Sequence, residues 1–291
     1  MKNYGLIIFG LILTSSLKAQ TFSEKVAIKA CDCLDSLETY KQLEDSLRSC
    51  TSNAMALVMI ESSPEEKKIL NTVQGITGVF QEVNEILPSY CYNVRRLMIV
   101  EKKKQFYDLS SIPEANEHYL KGNDFMDKGD YTNSISEFQN AIKIDNRFVY
   151  AYDHLAISYR RQENYKKAIK YYKKSLEIFP EGDVALLNIA VSYSFLKDYQ
   201  NSLKYYNDLI FLYQDNPEGY FGAGKIQYVI SDYENALENV FIAHRMYLDT
   251  NSDYLSDSEK LISIMYSDLK DKGQIDLFLE KAKKYNVTID E

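Results

Sequence analysis

Two stretches decide the fold: Ala151-Tyr-Asp-His-Leu-Ala-Ile-Ser-Tyr159 and Asn164-Tyr-Lys-Lys-Ala-Ile-Lys-Tyr-Tyr172, followed by Pro180. Their landmarks return at a fixed interval. Asp130-Tyr131, Asn164-Tyr165, Asp198-Tyr199 and Asp232-Tyr233 stand 34 residues apart. A period of that length marks a repeat architecture, in which each unit buries its apolar face by stacking on the next. With units opening at Ala115, Val149, Asp183 and Pro217, the eighth position holds Gly122, Ala156, Ala190 and Gly224, and the twentieth holds Ser134, Ala168, Ser202 and Ala236. Small residues there let two helices approach closely. Large residues alternate with them: Phe125, Tyr159, Tyr193 and Gln227 at position 11, and Phe138, Tyr172, Tyr206 and Val240 at position 24. Rings opposite small residues predict packed helical hairpins, each ring burying roughly 150–250 Å². Of the 25 tyrosines, all but those at 4, 40, 90, 92 and 107 lie in this half. Asp130, Asn164, Asp198 and Asp232 are predicted N-caps of each unit's second helix, where a side-chain oxygen accepts from free N–H groups and a negative charge suits the dipole.

The pattern resembles the tetratricopeptide repeat (TPR) family. An aromatic near position 4, Leu-Gly at 7–8, Tyr at 11, Ala at 20, an aromatic at 24, Ala at 27 and Pro at 32 are matched nearly throughout by the second unit. Departures are Lys121 at position 7, Leu209 at 27 and Gln227 at 11, which are expected to weaken single interfaces. The resemblance covers about residues 114–250 and implies an all-α solenoid of four repeats, with residues 251–291 as capping helices. It also implies a concave face lined by first helices, at positions 2, 5, 9, 12 and 13. Those positions give Tyr119, Asn123 and Met126, then Asp153, Ile157, Arg160 and Arg161, then Leu187, Val191 and Ser194, then Phe221, Lys225 and Tyr228. An apolar middle flanked by Asn, Arg and Lys suits an extended peptide or a partner helix. The carboxylate grip of the chaperone-binding TPR subset is matched only by Asn123 and is not expected here.

Residues 1–19 read as a secretory signal peptide: Lys2, an apolar run from Leu6 to Leu13, and Leu17-Lys18-Ala19 before Gln20. The run is too short to span a bilayer, which takes about 20 residues, and no later stretch is long and apolar enough. Export to the periplasm or the exterior is the expected location. Loss of Lys2 and Lys18 takes the formal charge from −8 to −10. An acidic chain disfavours nucleic acid as a partner. Lys166, Lys167, Lys170, Lys173 and Lys174 are a local exception, read as a solvated outer face or as a patch for an acidic partner.

Residues 20–110 read as a small helical bundle with helices over Ser23–Leu37, Lys41–Ile60, Ser63 to about Leu87, broken at Pro88, and Tyr90–Tyr107. Ser63-Pro-Glu-Glu66 and Ser111-Ile-Pro-Glu114 carry capping-box signatures. All four cysteines, Cys31, Cys33, Cys50 and Cys91, lie in this bundle, and an even number in an exported chain reads as disulfides. Cys31 and Cys33 point to nearly opposite sides of a helix and so take different partners. The turn near residues 37–41 favours Cys31–Cys50, leaving Cys33 for Cys91. A four-thiolate zinc site is the rival, although only one close pair is present.

Signals for chemistry are sparse. His118, His154 and His244 are dispersed and read as packing residues; Gly222 and Gly224 read as close helix contacts; Glu65 and Glu66 read as capping charge. No nucleophile elbow or phosphate loop is present in the sequence. The expectation is a non-enzymatic protein without cofactor or metal, which binds a peptide or protein through its repeats. The alternative is an adaptor whose cysteine domain makes the contact, with the repeats as spacer.

Overall fold

A computed structural model describes residues 20–288; the expected signal peptide lies outside the described residues. Within them all regular structure is helical, and they divide into two compact units between Val94 and Arg95.

The first unit contains α1 (Phe22–Leu34), α2 (Tyr40–Glu61), α3 (Pro64–Ile69) and α4 (Val73–Tyr90). Thr21, Thr39 and Ser63 open α1, α2 and α3 with reciprocal capping boxes to Glu24, Gln42 and Glu66. The expected single helix from Ser63 to Leu87 is two. Thr72 caps a new helix start through Gly75 N–H, and a Cβ on Gly75 would lie 1.7 Å from the Ile69 carbonyl oxygen, so only glycine fits that junction. Pro88 does not break α4 but lies inside it, in the last turn before the Cys91 cap. The disulfide pairing is Cys33–Cys50 and Cys31–Cys91, the reverse of the favoured assignment. Leu34, fully buried, turns Cys31 toward the buried Cys91 and leaves Cys33 on the outer side, toward α2. Asn93 at the start of α5 (Tyr92–Phe106) donates to the Leu34 and Leu37 carbonyls, closing the end of α1.

The second unit begins within α5, earlier than the expected domain end at residue 110, because α5 from Arg95 onward packs with the repeats. Phe106 stacks on Phe179 with centroids 5.1 Å apart, Tyr107 meets Phe179 edge-on at 5.4 Å, and Arg95 lies 4.0 Å over the Phe211 ring. Lys102 and Lys103 pair with Glu181 at 2.5 Å and Asp183 at 2.6 Å.

The repeats follow as helix pairs: α6 (Pro113–Asp127) with α7 (Tyr131–Ile144), α8 (Val149–Arg161) with α9 (Tyr165–Ile178), α10 (Asp183–Phe195) with α11 (Tyr199–Leu212), and α12 (Pro217–Val229) with α13 (Tyr233–Asp249). Asp130, Asn164 and Asp198 accept from the backbone three residues on, at 3.1–3.3 Å. Asp232 occupies the same position, but its carboxylate accepts only from the Asn235 side chain and from no backbone N–H, a difference from expectation. The expected capping box at Ser111 is absent: Ile112 is the N-cap of α6, and Ser110 accepts from its N–H while donating to Asp145.

Just before each of these caps the chain enters the left-handed region, at Gly129, Glu163, Lys197 and Ser231. In every case the following N–H reaches back five residues, Asp130 to Phe125 and Asp198 to Tyr193 among them, the hydrogen bond of a Schellman turn. Only the first unit uses glycine there. A side chain in that conformation costs roughly 1 kcal/mol, so Lys197→Gly is expected to stabilise by about 0.5–1 kcal/mol. Urea unfolding of the full chain reads this; an unchanged or lower midpoint would contradict it.

The pairing of large and small residues holds. A Cβ on Gly122 would meet the Phe138 ring at 2.5 Å, one on Gly224 would meet Val240 at 2.6 Å, and one on Gly222 would meet the Tyr206 ring at 2.1 Å. Phe138 and Tyr172 are fully buried. Leu209, a departure from the repeat pattern, is fully buried without loss, because Gly219 of the next unit leaves room for it. Gly222→Ala is expected to cost about 1–3 kcal/mol by overpacking; thermal unfolding at the wild-type temperature would refute this packing.

After α13 come α14 (Leu255–Asp271) and α15 (Ile275–Tyr285), joined through Gly273 at positive φ. Phe278 packs edge-on against Phe241 and Tyr266, and Ile262, Met265 and Leu269 complete that core. The pair thus covers the last repeat, as a terminal unit must.

Candidate functional site

The predicted ligand-facing residues fall into three groups. Tyr119 and Asp153 are buried and unavailable to a ligand, contrary to the resemblance-based expectation. Tyr119 packs among Phe138, Phe148, Tyr150 and His154, with centroids 4.9–6.1 Å away. Asp153 is 1 % exposed. A second group is half-buried and engaged. Asn123 lies 2.7 Å from His154 Nδ1, Ser194 donates to the Val191 carbonyl, and the Arg160 Nε is buried, with the guanidinium near Tyr172. Met126, Ile157, Leu187, Val191, Phe221 and Tyr228 form the third group, each packed on one side and part-exposed on the other. Arg161 and Lys225 are exposed, and Lys225 lies 5.4 Å over the Phe221 ring.

Asp153 heads a polar cluster that the sequence reading did not anticipate. Both its carboxylate oxygens are buried, as are the hydroxyls of Tyr107, Tyr172 and Ser175, and the Ser175 and Tyr107 hydroxyls lie next to the carboxylate. Burial pushes the Asp153 carboxyl up to about 7, and nearby Asp183 adds to the rise, while the Ser175 and Tyr107 hydroxyls oppose it. Burial likewise raises the phenols of Tyr107 and Tyr172.

The three histidines stay apart, each meeting a polar side chain. His154 is pushed down to about 4 by burial. His118 sits 2.6 Å from Glu137 and His244 2.9 Å from Ser258. Among the described residues, the group of His, Cys, Asp and Glu donors close enough together to share a metal is Cys31, Asp35 and Cys91, and its two sulfurs are joined to each other. With all four cysteines paired, the zinc alternative loses its ligands.

The tetratricopeptide repeat family matches residues 114–181 and 147–215. The crystal structure of MamA protein is similar to this chain, with a TM-score of 0.50 at 18 % identity over 60 % of this chain and 91 % of the other. Residues 41 to the end of MamA from Desulfovibrio magneticus RS-1 superpose with a TM-score of 0.51 at 12 % identity, over 60 % and 95 %. The fold is a TPR solenoid. At these identities the likeness concerns fold alone. A comparison with curated proteins finds no match. Within the TPR frame, the third group above occupies positions 5, 9 and 12 of the first helices, so the part-exposed apolar row runs from unit to unit at the repeat spacing.

Proposed function

We propose that this protein is an exported, non-enzymatic scaffold whose TPR units bind a peptide or protein along their first helices. The observation that carries the reading is the row Met126, Ile157, Leu187, Val191, Phe221 and Tyr228, part-exposed and flanked by Arg161 and Lys225. A part-exposed apolar row gains from being covered, at roughly 25 cal/mol per Å², and the flanking cations orient what covers it. Location in the periplasm or outside the cell rests on the signal-like residues 1–19 and on four cysteines placed to form disulfides. No described helix is long and apolar enough to cross a membrane.

Arg161→Glu with Lys225→Glu is the appropriate test, since both side chains are exposed and their reversal spares the fold. Arg160, partly buried against Tyr172, is a poor choice for reversal. The double variant is expected to weaken a co-purifying partner about tenfold; undiminished recovery would remove the first helices from the reading.

The adaptor alternative has its own observation. In the first unit Leu57, Met59, Ile60, Ile69, Val73 and Ile76 are exposed, Ile60 by 72 % and Val73 by 83 %. Side chains of that size left in water within one short segment are the usual mark of a contact surface. Ile60→Glu with Val73→Glu separates the readings: loss of the partner here, with retention in the Arg161/Lys225 variant, assigns the contact to the cysteine domain.

A further inference from the structure

The outer face of α9 is unlike that of every other second helix in the array. Lys166, Lys167, Lys170, Lys173 and Lys174 are all exposed, while Ala168, Ile169, Tyr172 and Ser175 on the other side are buried. Against these five lysines α9 carries one carboxylate, Glu177, which pairs with Lys174 at 2.6 Å. The equivalent helix α7 has Lys143 and Glu137, α11 has Lys204 and Asp208, and α13 has Arg245 against Glu234, Glu238 and Asp249. A face that merely kept the solenoid in solution would show mixed signs on each repeat. Among the second helices of the repeats the excess of positive charge falls on this one, in a chain whose formal charge is −8.

Three of those lysines lie over rings, while Lys174 pairs with Glu177. Lys167 lies 5.0 Å over Tyr159, Lys170 lies 5.4 Å over Tyr171, and Lys173 lies 5.5 Å over Tyr193 and donates to its hydroxyl at 3.0 Å. The rings themselves stack in pairs across the helices, Tyr159 on Tyr171 at 5.4 Å and Tyr193 on Tyr205 at 5.8 Å. Ring contact limits the lysine rotamers yet leaves the full charge outward, so binding an anion would cost less side-chain entropy than for free lysines.

We propose that the α9 face is a second interaction surface that binds an acidic, extended polypeptide segment. The spacing selects that shape. Lys166, Lys170 and Lys174 are four residues apart, which on a helix is about 6 Å. Alternate side chains of an extended peptide lie on one side at about 6.6 Å. A segment with Glu or Asp at every second position therefore places one carboxylate near each lysine rung. The net acidity of the protein argues against nucleic acid as the ligand. This surface is distinct from the first-helix row proposed above, since α9 turns its buried side toward α8 and α10.

The test uses the full chain and a fluorescent twelve-residue peptide of alternating Glu and Ser, with anisotropy read at low salt and at about 0.15 M salt. Anionic vesicles and duplex DNA serve as comparison ligands. The wild type is expected to bind the peptide in preference to both, more weakly as salt rises. K166Q/K170Q and K167Q/K173Q/K174Q should each weaken binding, and all five together by about tenfold or more. R161E/K225E should stay within about twofold of wild type. These lysines are exposed, so the glutamine variants should unfold at the wild-type temperature. Equal peptide binding by the five-glutamine variant would overturn the proposal. So would preference for vesicles or DNA, or a loss in R161E/K225E as large as that in the glutamine variants; this last result would move the peptide to the first helices.

Discussion

Asp153→Asn is expected to make the protein more stable at pH 8, by on the order of 4 kcal/mol, and to flatten its stability between about pH 4 and pH 7. The sign follows from burial. In the folded protein the carboxyl keeps its proton up to about 7, whereas in the unfolded chain it loses it near 3.9. Between those values the unfolded state holds fewer protons than the native state, so stability falls as pH rises, by about 1.4 kcal/mol per pH unit. The stabilising share of the neutral acid is complete below the unfolded value and lost once pH passes the folded one. Asparagine is neutral and of nearly the same shape, so it keeps the packing against Tyr107, Tyr172 and Ser175 and removes the ionisation. Urea unfolding at pH 5 and pH 8 measures both effects. A variant less stable than wild type at pH 8 would show instead that the carboxylate is stabilised as an anion.

The disulfides should differ in value. Cys31–Cys91 spans 60 residues and Cys33–Cys50 spans 17. Chain-entropy reasoning assigns about 4 kcal/mol to the longer loop and about 3 to the shorter. Cys31→Ser with Cys91→Ser should therefore lower the stability of the first unit more than Cys33→Ser with Cys50→Ser does. The longer bridge also fixes the end of α4 against α1, where Val83 and Leu87 are buried with Val26 and Ala30. Calorimetry of the oxidised full-length variants checks the order; equal losses, or a greater loss from the shorter bridge, would contradict it. Peptide mapping of the unreduced protein checks the pairing itself.

The repeats were plain in the sequence because the same physical requirement recurs every 34 residues: a small residue under a ring, an oxygen at a helix start. Helix bounds at Tyr131, Tyr165, Tyr199 and Tyr233 follow directly from it. The left-handed turns were not legible, since three of the four use Glu163, Lys197 and Ser231, residues with no preference for that region. The pairing of Cys31 and Cys33 depends on which side of α1 faces α2 and which faces the end of α4, and no local pattern encodes that. The polar cluster escaped notice for a different reason. Family position places Asp153 toward a ligand, whereas Tyr107, just past the end of α5 and outside the repeats, joins Tyr172 and Ser175 around it in the interior. The same contact moves the division between units to Arg95. For the candidate surface, the sequence yielded the apolar row and its flanking cations, while the burial of Tyr119 depended on ring packing across two units.

The central claim is that the first helices of the TPR array hold the partner. Photo-crosslinking side chains placed singly at Val191 and Phe221, and for comparison at Ile60 and Val73, test it in intact cells of the native host. One and the same protein joined to positions 191 and 221, and not to 60 or 73, is the predicted result. Crosslinks from 60 and 73 alone would contradict it.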